Sequence, residues 1–100
     1  METLSSLAVV AGDENKETGN AAFREGKFKI AIDCYRNALK VCPVGHTAVT
    51  YLGNLAATHA KLGEWCEVLT VCARALTVSP EMTKALLLRG RALMNTWRVP

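Results

Sequence analysis

The sequence predicts an all-α fold, a solenoid of stacked antiparallel helix hairpins, from its internal repetition and its composition. The chain aligns with itself at an offset of 37 residues, and the matched positions are glycine, aromatic and proline residues. They are the pairs Gly26 and Gly63, Phe28 and Trp65, and Pro43 and Pro80. A fixed offset of this kind is typical of stacked repeats. The apolar residues are mostly alanine, leucine and valine, with only 6% aromatic residues, which suits closely packed helices.

Two helices are predicted in the first half of the chain. Residues 1–11 form a lead-in of small residues without predicted order. The first helix begins near Asp13, whose side chain can cap free backbone amides, and continues until Gly26 opens a tight turn. The second spans residues 28–41, where apolar residues recur three and four positions apart, and a proline follows it.

Three more helices are predicted in the second half. One covers about residues 47–62 and ends at a turn that contains Gly63. The next covers residues 65–78 with apolar positions in helical phase. Ser79, followed by a proline, is interpreted as the N-cap of a fifth helix over about residues 81–97.

Composition and charge argue against several classes of function. The net charge of +3 is small and the basic residues are scattered, so nucleic-acid binding is not expected. No apolar stretch approaches the ~20 residues of a membrane span, and the N-terminus lacks the basic start of a signal peptide. We therefore expect neither a nucleic-acid nor a membrane partner, and a location in the cytoplasm or alternatively in the nucleus.

The cysteines and histidines do not form a recognisable site for a metal or for catalysis. Cys42, His46, His59 and Cys66 could be imagined as four metal ligands, but the cysteine spacings match no zinc template. Cys34, Cys66 and Cys72 instead occupy helical positions that favour a small apolar residue. We expect His59 to be packed among apolar residues, and we expect no enzyme activity, metal or cofactor.

The repeated motif closely resembles the tetratricopeptide repeat, over about 85 of the 100 residues. Residues 12–45 and 49–82 would be two such repeats, and residues 83–100 would begin a third. The resemblance implies a right-handed solenoid and a protein-binding function. It rests on the run from Gly19 to Phe23 and on Gly26, Phe28, Ala31, Ile32, Tyr35, Ala38, Leu39 and Pro43.

Further segments resemble the tetratricopeptide domains of co-chaperones, such as the heat-shock organising protein and the large immunophilins. They are Asn54 to Ala57, Lys61 to Gly63, Lys84 to Leu86, and Arg89 with Gly90. In that family, five side chains of a concave groove hold the C-terminal carboxylate and acidic residues of a heat-shock chaperone. Four of them match Lys16, Asn20, Asn54 and Lys84.

The fifth groove residue of the family, an arginine, falls on Leu88 in this chain. Arg91 lies on the same helix face as Lys84 but one turn farther than Leu88, and we expect it to reach an acidic side chain of the ligand. Phe23, Ala57 and Leu88 are expected to line the groove. The resemblance thus implies a co-chaperone or adaptor that binds an acidic C-terminal peptide of a chaperone.

The alternative hypothesis is a structural one. The fifth helix carries Leu86, Leu87, Leu93, Met94 and Trp97, and its usual covering helix does not follow. Exposed apolar area of this kind tends to recruit a partner. In this interpretation the chain is a scaffold fragment that docks on another protein or forms a weak homodimer through its last helix.

Overall fold

The structure is a computed structural model, and it describes the backbone of residues 2–97 and the side chains of residues 6–97. Five α-helices follow one another without an intervening strand in this part of the chain. Their bounds are α1 Glu2–Arg24, α2 Phe28–Val41, α3 Gly45–Lys61, α4 Trp65–Val78 and α5 Thr83–Thr96. The predicted all-α solenoid is confirmed, and α2 and α4 have the predicted bounds. Met1 and residues 98–100, which belong to the predicted lead-in and third repeat, lie outside the described residues.

Each helix packs against the next helix in the chain. In addition, α1 contacts α3 and α3 contacts α5, so the odd-numbered helices form a row. Small residues make this close packing possible: Ala31, Ala38 and Ala92 have no exposed surface. Two tyrosines, Tyr35 and Tyr51, are the largest fully buried side chains and fill the spaces between neighbouring hairpins. The result is an elongated molecule of 53 × 30 × 17 Å.

The two hairpin turns repeat the same hydrogen bonds. Gly26 and Gly63 have φ of +77° and +72°, a conformation that costs glycine little because it has no Cβ. The following amides, of Lys27 and Glu64, donate to the carbonyl oxygen five residues earlier, at 2.8 and 3.0 Å. This pattern ends α1 and α3 in the same way, so each is followed by an antiparallel helix.

The predicted start of the first helix near Asp13 is wrong, because α1 begins at Glu2 and Asp13 lies inside it. The side chain of Asp13 does not cap the helix; its Oδ1 accepts a hydrogen bond of 2.8 Å from the Tyr51 hydroxyl on α3. Gly12 also lies against the ring of Tyr51. Contacts with α3 therefore hold this part of α1 in place.

The interpretation of Ser79 as an N-cap is also wrong. Ser79 follows the end of α4, and its carbonyl oxygen accepts a 3.1 Å hydrogen bond from the amide of Met82 across a turn. The next helix begins at Thr83, two residues later than predicted, and ends at Thr96. Pro80 therefore lies in the turn and is not the first residue of the helix. α3 begins at Gly45, two residues before its predicted start.

The four cysteines are free thiols with different environments. Cys72 is buried as predicted, and burial raises the pKa of its thiol. Cys66 is exposed, so its assignment to a packed apolar position was wrong. Over the described residues, no cluster of three potential metal ligands is present, and no helix is both long and apolar enough to cross a bilayer.

Candidate functional site

Three polar side chains form a hydrogen-bonded row across α1, α3 and α5. Asn54 Nδ2 donates to Asn20 Oδ1 at 3.4 Å, and Lys84 Nζ donates to Asn54 Oδ1 at 3.0 Å. These residues are 30 or more positions apart in the sequence. The row exists because the odd-numbered helices lie side by side, and we call the surface along it the groove.

Tyr35 orients the first asparagine of the row. Its hydroxyl, on α2, donates to Asn20 Oδ1 at 2.6 Å. This oxygen accepts from both Tyr35 and Asn54, and the Asn20 Nδ2 group donates to no acceptor among the described residues. Burial raises the pKa of Tyr35, which keeps the hydroxyl protonated as a donor. The sequence analysis used Tyr35 only as one of the residues that carry the repeat resemblance, and it missed this bond.

The Lys84 side chain is exposed, but the atoms packed around its ammonium group remove part of its water. Burial lowers the pKa of its ammonium group, which means that the surroundings do not compensate the charge fully. No carboxylate of the described side chains lies within 4.0 Å of Lys84 or of Arg91. The groove thus offers amide and ammonium donors without an anion to accept from them.

Lys16 lies one turn before Asn20 on the same face of α1. Its Nζ is 3.8 Å from Asp13 Oδ1 and 3.7 Å from Glu17 Oε1. No hydrogen bond joins Lys16 to the row within residues 6–97. Of the sequence-predicted groove cations, Lys16 is therefore the one that already has acidic neighbours.

The groove contains two adjoining cavities. The first, about 100 Å³, is lined by Asn20, Phe23, Tyr35, Asn54, Ala57 and Lys84. The second, about 330 Å³, is lined by Ala57, Lys84, Leu87, Leu88 and Arg91. Because Ala57 and Lys84 line both, a single ligand could occupy the two cavities together. The structure therefore brings all the sequence-predicted groove residues except Lys16 into one continuous surface.

Arg91 is held at the far end of the groove by an aromatic ring. Its guanidinium carbon lies 5.7 Å from the centre of the Trp65 ring on α4. At an exposed site such a cation–π contact contributes about 0.5–1 kcal/mol, so it favours this position of the Arg91 side chain. The sequence showed that Arg91 shares a face with Lys84, but it could not show this contact because Trp65 lies on another helix.

His59 is buried, as predicted, and does not belong to the groove. Its Nδ1 lies 2.8 Å from Glu64 Oε1, a partner that the sequence analysis did not identify. The Nε2 atom has no hydrogen-bond partner in the described part of the chain. His59 lines a separate cavity of about 400 Å³ formed mainly by side chains of α2 and α4.

Known proteins that are similar to this chain include an import receptor and two tetratricopeptide domains. No family model matches the chain. It is 37% identical over 91 residues to the rat mitochondrial import receptor subunit TOM70, and this covers 89% of the chain but only 15% of the receptor. The tetratricopeptide domain of Arabidopsis OM64 superposes with a TM-score of 0.83 at 28% identity, over 89% of the chain and 71% of that domain.

The third similar protein is Spaghetti (RPAP3), whose first tetratricopeptide domain was solved with the HSP90 peptide SRMEEVD. It superposes with a TM-score of 0.81 at 28% identity, over 87% of this chain and 67% of that chain. Similarity to these domains extends over nearly all of the chain, whereas the chain spans a small part of the import receptor.

Proposed function

Since the chain is a tetratricopeptide-repeat domain, we propose that its groove binds the acidic C-terminal peptide of a heat-shock chaperone, as a co-chaperone or adaptor does. The single observation that carries the proposal is the hydrogen-bonded row of Asn20, Asn54 and Lys84 across three helices. A similar domain has been solved with the HSP90 peptide SRMEEVD.

The chemistry of the row suits a terminal carboxylate. The Lys84 ammonium group supplies a charge that the protein leaves unpaired, and Asn20 supplies neutral amide donors. A carboxylate between them would accept hydrogen bonds from both. Hydrogen bonds that involve a charged group contribute about 1.5–3 kcal/mol each.

The proposal is tested by titrating labelled SRMEEVD against the protein and the Lys84→Ala variant. We expect Lys84→Ala to weaken binding about ten- to a hundredfold because it removes the charged donor. Lys40→Ala is the matched control, since it removes the same charge from α2, outside the groove. Absence of binding at millimolar peptide, or equal weakening in both variants, would reject the proposed function.

A second candidate function is self-association through α5. Leu87, Met94 and Trp97 are 65%, 69% and 82% exposed, so this helix presents a large apolar surface. Sedimentation at several protein concentrations tests it. An apparent mass that rises with protein concentration, and that is lower for Met94→Lys than for the unchanged protein, supports a homodimer. A monomer mass at every concentration argues against one.

A further inference from the structure

A cleft between α2 and α4 lies outside the groove. These two helices do not pack against each other in the described part of the chain, and α3 forms the floor between them. The cavity in this cleft has a volume of about 400 Å³, which is in the range of small-molecule sites. It shares no lining residue with the two cavities of the groove. We call it the α2–α4 cleft.

Three cations line the α2–α4 cleft without an anionic partner. Arg36, Lys40 and Arg74 are exposed, and no carboxylate of residues 6–97 lies within 4.0 Å of their charged groups. Glu67 is the acidic residue that lines the same cavity, so three cations and one carboxylate give a net charge of +2. A phosphate monoester carries a charge of about −1.5 to −2 at pH 7 and therefore matches this lining better than a single carboxylate. Arginine also binds two phosphate oxygens at once.

The deeper surface of the cleft is apolar. Leu39, Leu55 and Val71 line it and are 7%, 3% and 5% exposed. A ligand that lies on these side chains buries apolar surface of its own, which is favourable. The cleft thus combines a cationic rim with an apolar floor.

The floor also contains a buried polar atom without a partner. His59 Nδ1 lies 2.8 Å from Glu64 Oε1 and carries the hydrogen of that bond, because a carboxylate can only accept. Nε2 has no partner among the described residues, although buried polar atoms normally have one. Arg36 and His59 both line the cleft and an adjoining cavity of about 300 Å³. The exposed Arg36 side chain can therefore turn toward a ligand and uncover the ring without a backbone movement.

We propose that the α2–α4 cleft binds a small phosphate monoester whose organic part is apolar or aromatic. The phosphate lies among the three cations, and the organic part covers the apolar floor. In either protonation state of His59, the phosphate supplies the missing partner of Nε2: its oxygens accept from an Nε2–H, and its P–OH group donates to a bare Nε2. The second pKa of a phosphate monoester is about 6, so part of it keeps this hydrogen at pH 7. A sulfate monoester has no such hydrogen.

The proposal is tested by an NMR titration with phenyl phosphate, phenyl sulfate and inorganic phosphate. The chain has two histidines, and His46 is exposed and outside the cleft. We expect phenyl phosphate to shift the ring signals of His59 and the backbone amide of Thr70, and to leave those of His46 unchanged. Phenyl sulfate, which has less charge and no P–OH group, should bind about tenfold more weakly. Inorganic phosphate should also bind about tenfold more weakly, because it lacks the apolar part.

The cations are tested with Arg36→Ala and Arg74→Ala, two changes at exposed positions. Each should weaken binding of phenyl phosphate about tenfold, because it removes a charged donor. Arg89→Ala is the matched control, since it removes the same charge from α5, outside the cleft and the groove cavities. Equal weakening in all three variants would overturn the proposal.

Three further results would overturn it. They are the absence of a saturable shift at millimolar phenyl phosphate, equal affinity for phenyl phosphate and phenyl sulfate, and shifts at the Asn20 and Asn54 side-chain amides in place of His59. A phosphotyrosine peptide that binds more tightly than phenyl phosphate would assign the cleft to a partner protein and overturn the small-molecule class. The proposed function does not depend on these results, because the cleft and the groove share no residue.

Discussion

Tyr35 and Tyr51 make equivalent hydrogen bonds with different expected consequences. The Tyr35 hydroxyl donates to Asn20 in the groove, and the Tyr51 hydroxyl donates to Asp13 on α1. We expect Tyr35→Phe to weaken binding of SRMEEVD several-fold, because Asn20 loses the bond that orients it. Its free energy of unfolding should fall by about 1 kcal/mol.

Tyr51→Phe is the control for that prediction. It should destabilise the protein by about 1.5–3 kcal/mol, since the lost acceptor is a carboxylate, but it should leave peptide affinity unchanged. Urea unfolding and peptide titration measure the two effects. A loss of affinity in Tyr51→Phe as large as in Tyr35→Phe would show that binding follows stability and not the orientation of Asn20.

The shifted pKa values of the two tyrosines predict how the stability of the protein depends on pH. Burial raises the pKa of Tyr35 and of Tyr51, and the Asp13 carboxylate raises that of Tyr51 further. A raised folded-state pKa contributes stability that is present below the unfolded value of about 10 and is lost as the pH rises through the folded value. Lys84, whose pKa is lowered by burial, opposes this trend.

We therefore expect the free energy of unfolding to fall above about pH 10, with a slope of up to about 1.4 kcal/mol per pH unit for each tyrosine. Urea unfolding between pH 8 and 11.5 measures the slope. It should be shallower in Tyr51→Phe. An identical slope in that variant would contradict the assigned environment of Tyr51.

Among the helices, the packing of α1 on α2 depends on Gly19. A Cβ added to Gly19 would lie 2.7 Å from Tyr35 Cε1, which is closer than real Cβ atoms pack, and a tight 3.1 Å from Cys34 Cβ. We expect Gly19→Ala to destabilise the protein by about 1 kcal/mol, because overpacking outweighs the gain in helix propensity.

Gly90, inside α5, is the matched control. An added Cβ there meets no atom within 4 Å, so Gly90→Ala should stabilise the protein by up to about 1 kcal/mol. Thermal unfolding of both variants measures the difference. Two shifts of the same sign would contradict the close approach of α1 and α2.

The sequence predicted correctly those helix boundaries that are determined by residues nearby in the chain. α2 and α4 each follow a glycine turn and begin with an aromatic residue, and both starts were predicted correctly. The start of α1 was missed because Asp13 resembles a helix cap. Its actual partner, Tyr51, is 38 residues away in the sequence, and no local pattern reports such a contact.

At the scale of the whole molecule, the repeat pattern predicted that the odd-numbered helices lie side by side, because stacked hairpins place equivalent helices in a row. The choice of Asn20, Asn54 and Lys84 came from the co-chaperone resemblance, since the 37-residue offset places Ala57, not Asn54, at the position equivalent to Asn20. The offset could not predict contacts between unequivalent positions. The hydrogen bond from Tyr35 to Asn20 and the contact of Arg91 with Trp65 are of this second kind. Both depend on side-chain directions between helices.

The central claim is that this groove holds a peptide by its terminal carboxylate. The most direct measurement is an NMR titration with SRMEEVD and with the same peptide amidated at its C-terminus. The account predicts that the free-acid peptide shifts the side-chain amide signals of Asn20 and Asn54 while those of Asn37, on α2, stay unchanged, and that amidation abolishes the effect. Equal shifts with both peptides, or shifts confined to α2 and α4, would contradict it.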